Sequence, residues 1–458
     1  MKFKSVIDVA RWRLCVGCGA CASVCEKGNI ALEDVEDEGI RPVVRKGWEK
    51  KGSGFCPSGI QVHNAFHGVK VLGKKGLGSG EARELRSCED CRMCLEVCPG
   101  LRMRVEGTDT DVEGIPELKK QWGRVLEVWE GHASDPEIRF KGSSGGLCTA
   151  LSLFCLEKGF AEGIVHIGSD PDRPWKNKTF RSTNREALVS RTGSRYSPAS
   201  PCDGLKSTEE ADGPSVFIGK PCDVEGLRMA QQLKPDLARN TALAIGFFCA
   251  GTPSTLGTLE LLRTHGVDPD RIAELRYRGM GWPGMATAKL KDNGAVPLKL
   301  SYQDSWGFVQ KYRPFRCYLC PDLTAEAADI SVGDPWYRDL GEDDPGRSLI
   351  LIRTKRGKEI FRQAMEQGYV TAKAADPGLI YRSQKNLLGK RQAIWGRLLA
   401  MKLLGIPRPE LEGFHLFENW RDLPVKEKAK SIFGTARRIV QRKYYRKAGS
   451  APVEYSGC

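Results

Sequence analysis

Two cysteine runs with identical spacing lie in the first hundred residues of the chain. They consist of Cys15, Cys18, Cys21 and Cys25, then Cys88, Cys91, Cys94 and Cys98. Three thiolates at i, i+3 and i+6 on a tight loop can bind three irons of a [4Fe–4S] cluster, and in bacterial two-cluster ferredoxins the fourth cysteine of each run reaches the other cluster. We therefore expect Cys98 to complete the first set and Cys25 to complete the second.

Structural zinc is the alternative for these runs, but zinc sites use C-x2-C pairs or cysteine with histidine and have no use for a third cysteine at this spacing. Iron–sulfur chemistry is therefore the preferred interpretation. Cys25 is followed by Glu26 instead of proline, and a long insert separates it from Cys88. Cys56-Pro57 within that insert is the alternative fourth ligand, although the intact spacing of Cys25 favours Cys25. Two further features of the insert, His63 with His67 and the glycine-rich segment 73–80, are interpreted as ordinary surface residues and a linker.

The elements that must position a third set of cysteines follow in the body of the chain, where short β-rich runs alternate with helical stretches, as in α/β domains. Residues 215–218 and 242–248 read as strands that end close to Cys222 and Cys249. Because α/β sites lie at the carboxyl ends of strands, both thiols are predicted at one sheet edge. Cys317 and Cys320 add a C-x2-C pair, and the spacing alone divides this four-thiolate site evenly between zinc and iron–sulfur.

A glycine-rich turn at residues 141–146 precedes a predicted helix that runs through Leu147 to Leu156, and Ser143 or Ser144 is its predicted N-cap. Paired glycines would let a flat or phosphorylated ligand approach the backbone at a helix start. A plain capped helix is the alternative, and the pattern alone favours it.

Composition restricts the class of protein. With 40% apolar and 28% charged residues the chain is globular, and its length suggests two or three domains. Apolar stretches of about ten residues are too short for a membrane span of roughly 20. Met1 to Leu14 lacks the pattern of a secretory signal. We therefore expect a cytoplasmic protein whose 17 cysteines are reduced or bind metal.

Much of the net charge of +14 lies in the C-terminal window 425–447. Its only acid is Glu427, and its nine basic residues are Lys426, Lys428, Lys430, Arg437, Arg438, Arg442, Lys443, Arg446 and Lys447. The interleaved apolar residues Ile432, Phe433, Ile439, Val440 and Tyr444 predict a basic amphipathic helix. Such a helix packs one face on the body or contacts an anionic surface, such as a membrane or an acidic partner. No nucleic-acid motif accompanies the charge, so we expect no nucleic-acid partner.

From about residue 130 to 410 the chain resembles the beta subunits of coenzyme F420-reducing hydrogenase and F420-dependent formate dehydrogenase, many of which also carry an N-terminal ferredoxin domain. The matching segments are Gly142–Leu151, Thr192–Pro198, Phe217–Leu227, Phe248–Ser254, Arg313–Cys320, Ala328–Trp336 and Ser348–Gly357.

The resemblance implies a third [4Fe–4S] cluster on Cys222, Cys249, Cys317 and Cys320, together with bound FAD. It implies that the flavin lies beside Ser144, Gly145, Gly146, Leu147 and Thr149. By the same analogy, Arg195, Tyr196 and Ser197 line the flavin or the coenzyme side.

The predicted function is that of an iron–sulfur flavoprotein oxidoreductase, which passes electrons between the clusters and FAD and uses coenzyme F420 or ferredoxin as its redox partner. The residues indicate no catalytic triad. The alternative is a non-catalytic electron-transfer subunit that feeds a partner enzyme. The predicted architecture is a ferredoxin-like domain (1–125), an α/β core in two parts (126–215 and 216–385) and a basic helical tail (386–458).

Overall fold

The computed structural model describes residues 3–44, 91–104, 113–338 and 345–448. In chain order its strands are β1 Ile30–Val35, β2 Gly39–Val44, β3 Arg102–Arg104, β4 Glu127–Ala133, β5 Gly163–Ser169, β6 Asn177–Ser182, β7 Ser215–Gly219, β8 Thr241–Phe247, β9 Ile272–Arg276, β10 Met285–Leu290, β11 Leu298–Ser301, β12 Ile330–Gly333, β13 Ser348–Ile352, β14 Val370–Ala374 and β15 Glu410–Glu412.

The α-helices are interspersed among these strands. They are α1 Val6–Arg11, α2 Ala20–Ser23, α3 Met93–Glu96, α4 Pro116–Trp122, α5 Pro136–Lys141, α6 Leu147–Glu157, α7 Arg185–Val189, α8 Leu205–Glu209, α9 Pro221–Leu233, α10 Pro235–Arg239, α11 Thr255–Thr264, α12 Tyr302–Val309, α13 Lys355–Glu366, α14 Leu379–Ser383, α15 Lys385–Gln392, α16 Ile394–Leu403, α17 Leu416–Arg421 and α18 Val425–Gln441.

An eight-stranded mixed sheet, ordered β14-β4-β13-β12-β8-β7-β5-β6, forms the centre of the fold. The neighbours β12, β8, β7 and β5 run parallel to one another, and the remaining pairs are antiparallel. Strands β7, β8 and β13 are almost wholly buried, because their apolar side chains are covered on both faces of the sheet. The predicted mixed α/β architecture with C-terminal helices is confirmed.

The two faces of this sheet carry different cores. On one face α6 and α13 pack Leu151, Phe154 and Phe361 against β4, β8 and β13. On the other face α9 contributes Val224 and Leu227 to a cluster that also contains residues of the first cysteine run. The cysteine-rich segment therefore shares a core with the body.

Further contacts fix the cysteine-rich segment to the rest of the chain. Strand β3, which follows Cys98, pairs in parallel with β15 near the C-terminal helices. The buried Arg316 donates to the carbonyls of Pro99 (2.9 Å) and Gly100 (3.3 Å). These contacts cross residue 125, where the sequence predicts a domain boundary. The domain boundaries themselves remain predictions.

The C-terminal helix α18 lies on α16 through a narrow stripe of buried residues, Ser431, Thr435 and Ile439. The predicted basic helix is present, with one buried face on the body, whereas Phe433 and Val440 point away from the body and are 72% and 57% exposed. None of the helices in the described ranges combines the length and apolarity of a membrane-spanning segment.

Candidate functional site

The four cysteines of the predicted core site converge from three places in the fold. Cys222 lies in the first turn of α9, directly after β7, and Cys249 follows β8. Because these strands are parallel neighbours, both thiols lie at the same sheet edge, as the sequence predicts. Cys317 and Cys320 come from the 3-10 turn Phe315–Leu319 and the residue after it. All four line one cavity of about 50 Å³.

Buried cations accompany the core thiols. Burial and the nearby Asp223 raise the pKa of Cys222 well above its usual range, whereas Lys220 acts to lower it. Lys220 is itself buried, and its Nζ lies 2.6 Å from the Asp223 carboxylate. Burial also raises the pKa of Cys320, and the adjacent Arg316 opposes that shift. The four thiols around one cavity fit a cofactor that requires four thiolates.

The first N-terminal set is also assembled. A second cavity, of about 20 Å³, is lined by Cys15, Cys18, Cys21 and Cys98. Burial and the neighbouring charges of Cys18, Cys15 and Cys98 raise the pKa of Cys21 well above its usual range. Cys98 therefore joins the first run of cysteines in space, as the ferredoxin pattern predicts.

The second N-terminal set is described only in part. Burial and the neighbouring charges of Cys25 and Cys91 raise the pKa of Cys94 to about 11. Cys88 and the alternative ligand Cys56 lie outside the described residues, as do His63, His67 and the glycine-rich segment 73–80. The choice between Cys25 and Cys56 therefore stays a prediction.

No disulfide joins any of the described cysteines. Within the same ranges no three cysteine, histidine or carboxylate side chains converge closely enough to bind a single metal ion. A [4Fe–4S] cluster makes a different demand, because each of its four thiolates binds a separate iron at a separate corner of the cube. The thiols of a cluster site therefore surround a cavity instead of meeting at one point.

Cys15 connects the two cavities, since it lies on the walls of both. The segment that begins at Ser200 holds this region in place. Ser200 Oγ donates to the carbonyl of Gly17 (2.6 Å), and the backbone N–H of Cys202 donates to the carbonyl of Cys18 (3.0 Å). Sequence reasoning assigned no role to Cys202, a buried thiol whose Sγ donates to the carbonyl of Asp223 (3.1 Å). The neighbouring Cys202 holds the pKa of Cys18 below its usual value.

The glycine turn differs from the sequence-based prediction. The N-cap of α6 is Gly146, not Ser143 or Ser144, and it has left-handed backbone geometry. Ser143 Oγ instead accepts a hydrogen bond from the backbone N–H of Ser194 (2.6 Å), and Ser144 Oγ donates to the carbonyl of Arg347 (3.0 Å). The serines therefore hold neighbouring loops together. Because Gly146 has no side chain to cap α6, the N–H groups of its first turn have no side-chain acceptor at the N-cap.

Gly145 and Gly146 are required by backbone geometry and by packing against protein. Their φ angles are +71° and +69°. A Cβ at Gly145 would approach Arg347 Cα to 2.7 Å, and one at Gly146 would clash with the Ile138 carbonyl oxygen. The space left by their missing side chains is thus filled by other loops, so the fold itself requires glycine at both positions. Ligand binding at this turn stays a prediction. Leu147 and Thr149 are buried in the first turn of α6.

Replacing Gly146 with alanine is expected to lower the free energy of unfolding by about 2 kcal/mol or more, because left-handed geometry and a clash with backbone act together. Gly159 is the matched control, since its φ is +75° but nothing lies within 4 Å of an added Cβ. Gly159→Ala should cost only about 1 kcal/mol. Equal losses for the two variants in chemical denaturation would contradict the close packing of the turn.

The second predicted flavin segment lies beside this turn. Arg195 is fully engaged by protein: it donates to the carbonyls of Leu275 (2.9 Å) and Pro174 and to the Asn177 side chain. The ring of Tyr196 packs against that of Trp306. The side chain of Ser197 is buried. Arg195 is therefore positioned to shape the loop, and Tyr196 is the member of the segment that joins an aromatic surface.

That aromatic surface was missed by sequence reasoning. Its rings are those of Tyr196, Tyr277, Trp282, Tyr302, Trp306 and Trp336. At its centre the buried Arg278 forms a bidentate pair with Asp334 (2.7 and 2.8 Å) and donates to the carbonyl of Ser143 (2.8 Å). Tyr302 and Trp336 stack at 5.0 Å with 17° between their planes. This arrangement joins the glycine turn to a partly exposed surface suited to flat, conjugated ligands.

Comparison with known proteins places the chain in a family. A sequence profile for the N-terminal part of the coenzyme F420 hydrogenase/dehydrogenase beta subunit matches residues 128–206. A second profile, for the C-terminal part of the same beta subunit, matches residues 215–378. Together they span more than half of the chain. The two N-terminal cysteine runs and the helix α18 lie outside the matched ranges.

Individual relatives agree with this assignment. The chain is 28% identical over 268 residues to the coenzyme F420 hydrogenase subunit beta of Methanosarcina barkeri, an alignment that covers 56% of this chain and 86% of that protein. It is 27% identical over 253 residues to the F420-dependent formate dehydrogenase 1 subunit beta of Methanococcus maripaludis, covering 55% of this chain and 62% of the relative.

A solved structure shows the same fold. It is a chain of the F420-reducing [NiFe] hydrogenase complex from Methanosarcina barkeri, with a TM-score of 0.52 and 24% identity, and the match covers 65% of this chain and 98% of that one. The named relatives are subunits of oxidoreductases, which supports a redox role. The chain belongs to the coenzyme F420 hydrogenase/dehydrogenase beta subunit family.

Proposed function

We propose that the protein is an iron–sulfur flavoprotein oxidoreductase, which passes electrons between [4Fe–4S] clusters and FAD and uses coenzyme F420 or ferredoxin as its redox partner. The observation that carries the proposal is the position of Cys15 on the walls of both cysteine-lined cavities. Two redox groups held there would be near neighbours, which favours electron transfer between them.

Bound clusters would supply one-electron steps, and a bound flavin would convert these to two-electron hydride chemistry. The chain's contribution is to hold and tune these groups. Cys222, Cys249, Cys317 and Cys320 would hold the core cluster. The buried Lys220 and Arg316 act to lower the pKa of Cys222 and Cys320, although Asp223 and Asp322 oppose them.

The flavin assignment rests on the surroundings of the glycine turn. The uncapped start of α6 offers backbone N–H groups suited to a phosphate. The aromatic surface around Arg278 lies beside it, because Arg278 bonds to the carbonyl of Ser143 within the turn. Tyr196 and the stacked pair of Tyr302 and Trp336 offer ring faces for a flavin or a deazaflavin substrate.

A second candidate is a non-catalytic electron-transfer subunit that feeds a partner enzyme. It is favoured by the relatives, which are named as beta subunits of larger hydrogenases and dehydrogenases. In that case the cysteine sites would have the same role, but the final electron acceptor would lie in another chain.

A donor assay separates these functions. The anaerobically purified protein is mixed with reduced coenzyme F420 or reduced ferredoxin, and bleaching of the bound flavin is followed with and without added acceptors. We expect one of the two donors to bleach the bound flavin, and we expect a small-molecule acceptor to reoxidise the flavin repeatedly. Reduction without turnover by any acceptor would favour the electron-transfer subunit. A protein that binds no flavin would refute both the FAD assignment and the proposed enzyme.

A further inference from the structure

The outward face of helix α18 combines exposed apolar and basic side chains. Val425 is 80% exposed and Phe433 is 72% exposed. At 100° per residue, these two residues and Val440 fall within one sector of about 80°. The exposed basic residues Lys426, Lys430 and Arg437 lie along one border of that sector, with Lys430 paired to Glu427 on the same helix (3.4 Å). We call these six residues, Val425, Lys426, Lys430, Phe433, Arg437 and Val440, the outer face of α18.

The opposite side of the same helix lies on the turn that carries two core cysteines. Ile439 packs in one apolar cluster with Phe315 and Leu319. The guanidinium of Arg438 lies 4.4 Å from the ring centre of Tyr318, which lies between Cys317 and Cys320 in the chain. A protein bound to the outer face would therefore lie about one helix diameter, roughly 10–12 Å, from this turn.

Positive charge is concentrated around Tyr318. The guanidinium of Arg313, which precedes the turn, lies 5.1 Å from the ring centre of Tyr318, and Arg397 donates to the carbonyl of Tyr318. In the described part of the chain, Arg313, Lys390, Arg397 and Arg438 form no ion pair with a carboxylate. Burial and the charge of Arg438 lower the pKa of Arg397 to about 10, as expected where like charges are crowded. An acidic surface brought to this region would gain electrostatic energy.

We propose that the outer face of α18 is the docking surface for an acidic electron-transfer protein that exchanges electrons with the core cysteine site. The inference rests on the proposed redox function and adds the partner's chemistry and its place of contact. An apolar centre bordered by charge suits the small, transient interfaces of electron-transfer complexes. Each encounter would move one electron, with no proton and no bond change, from the reduced partner to the cluster, and the partner would leave oxidised by one electron.

An anionic membrane could also be attracted to this face, but it would have no need to lie over the cysteine turn. The position of α18 against Tyr318 therefore favours a redox protein, and the membrane becomes an outcome of the test.

The test compares two doubly substituted full-length proteins, purified anaerobically with their cofactors. Lys426→Glu/Arg437→Glu reverses two charges on the outer face of α18. Lys289→Glu/Lys299→Glu makes the same change in net charge at exposed positions on β10 and β11. Binding to an acidic two-cluster ferredoxin and to phosphatidylglycerol vesicles is measured by interferometry at low and high salt. Circular dichroism, iron content and flavin content are recorded on the same samples.

We expect the ferredoxin to bind in a salt-dependent way, with the Kd raised about tenfold or more by the α18 substitutions and less than about twofold by those on β10 and β11. The inference is overturned if the ferredoxin does not bind, if both variants weaken binding equally, or if α18 binds only the vesicles. Loss of docking with normal iron and flavin leaves the proposed function intact, whereas absent cofactors would count against that function itself.

Discussion

Replacing Cys249 with alanine is expected to lower the iron content from about 12 to about 8 atoms per chain, since three four-iron clusters become two. The reason is the position of Cys249 on the core cavity, where it lies with Cys222, Cys317 and Cys320. Flavin reduction by electrons that arrive through the N-terminal sites should fall by orders of magnitude. Iron and acid-labile sulfide analysis, with stopped-flow flavin bleaching, checks both results.

Cys155→Ala is the matched control for this prediction. Cys155 is also a buried thiol, but it lies on α6 in the apolar core, and neither of the two cysteine-lined cavities includes it. Its replacement should leave the iron content unchanged. Equal iron in all three proteins would show that Cys249 is not a cluster ligand.

Replacing Asp334 with asparagine should lower the free energy of unfolding by about 3–5 kcal/mol, because it leaves a buried guanidinium without its carboxylate. Arg278 is 2% exposed, and Asp334 pairs with both of its terminal nitrogens. Trp282 Nε1 also donates to this carboxylate (2.8 Å). Chemical denaturation measures the loss, and we expect bound flavin to be released in parallel.

An exposed arginine–aspartate pair provides the control. Arg271 donates two hydrogen bonds, of 2.9 and 3.0 Å, to one carboxylate oxygen of Asp292, and both side chains are more than half exposed. Asp292→Asn should therefore cost less than about 1 kcal/mol. The double variant Arg278→Met/Asp334→Asn should recover part of the stability lost in Asp334→Asn, because no charge remains unpaired. Similar losses for Asp334→Asn and Asp292→Asn would contradict the central role given to the buried pair.

The cysteine sites were the most predictable part of the molecule, and their physical basis explains why. Regular spacing fixes which thiols can share a loop, and parallel strands bring Cys222 and Cys249 to one edge whatever the intervening sequence. The contribution of Cys98 to the first set also follows from the ferredoxin pattern, and in the structure Cys98 lines one cavity with Cys15 and Cys18.

The aromatic surface could not be predicted in the same way. Tyr196, Arg278, Tyr302 and Asp334 come from separate elements, and no spacing rule links them. The buried stripe of α18 could not be predicted either, because the side chains of Ser431 and Thr435 are polar and yet they are buried against α16. Gly396 allows this approach, since an added Cβ would lie 2.7 Å from Trp420 Nε1 and would also clash with Ser431 Oγ.

The start of α6 shows how local rules can mislead. Serine is a good N-cap, so local preference favours Ser143 or Ser144. The loops that hold Ser194 and Arg347 take up their hydroxyl groups instead, and the left-handed Gly146 starts the helix two or three residues later. Tertiary contacts, which the sequence does not display, decide the cap.

Electron paramagnetic resonance of the anaerobically purified, dithionite-reduced protein tests the central claim most directly. If Cys15 joins two neighbouring cluster sites, the spectrum should show magnetically interacting [4Fe–4S] clusters, and Cys249→Ala should simplify it to the N-terminal signals alone. Non-interacting signals that are unchanged in Cys249→Ala, or zinc in place of iron, would contradict the account.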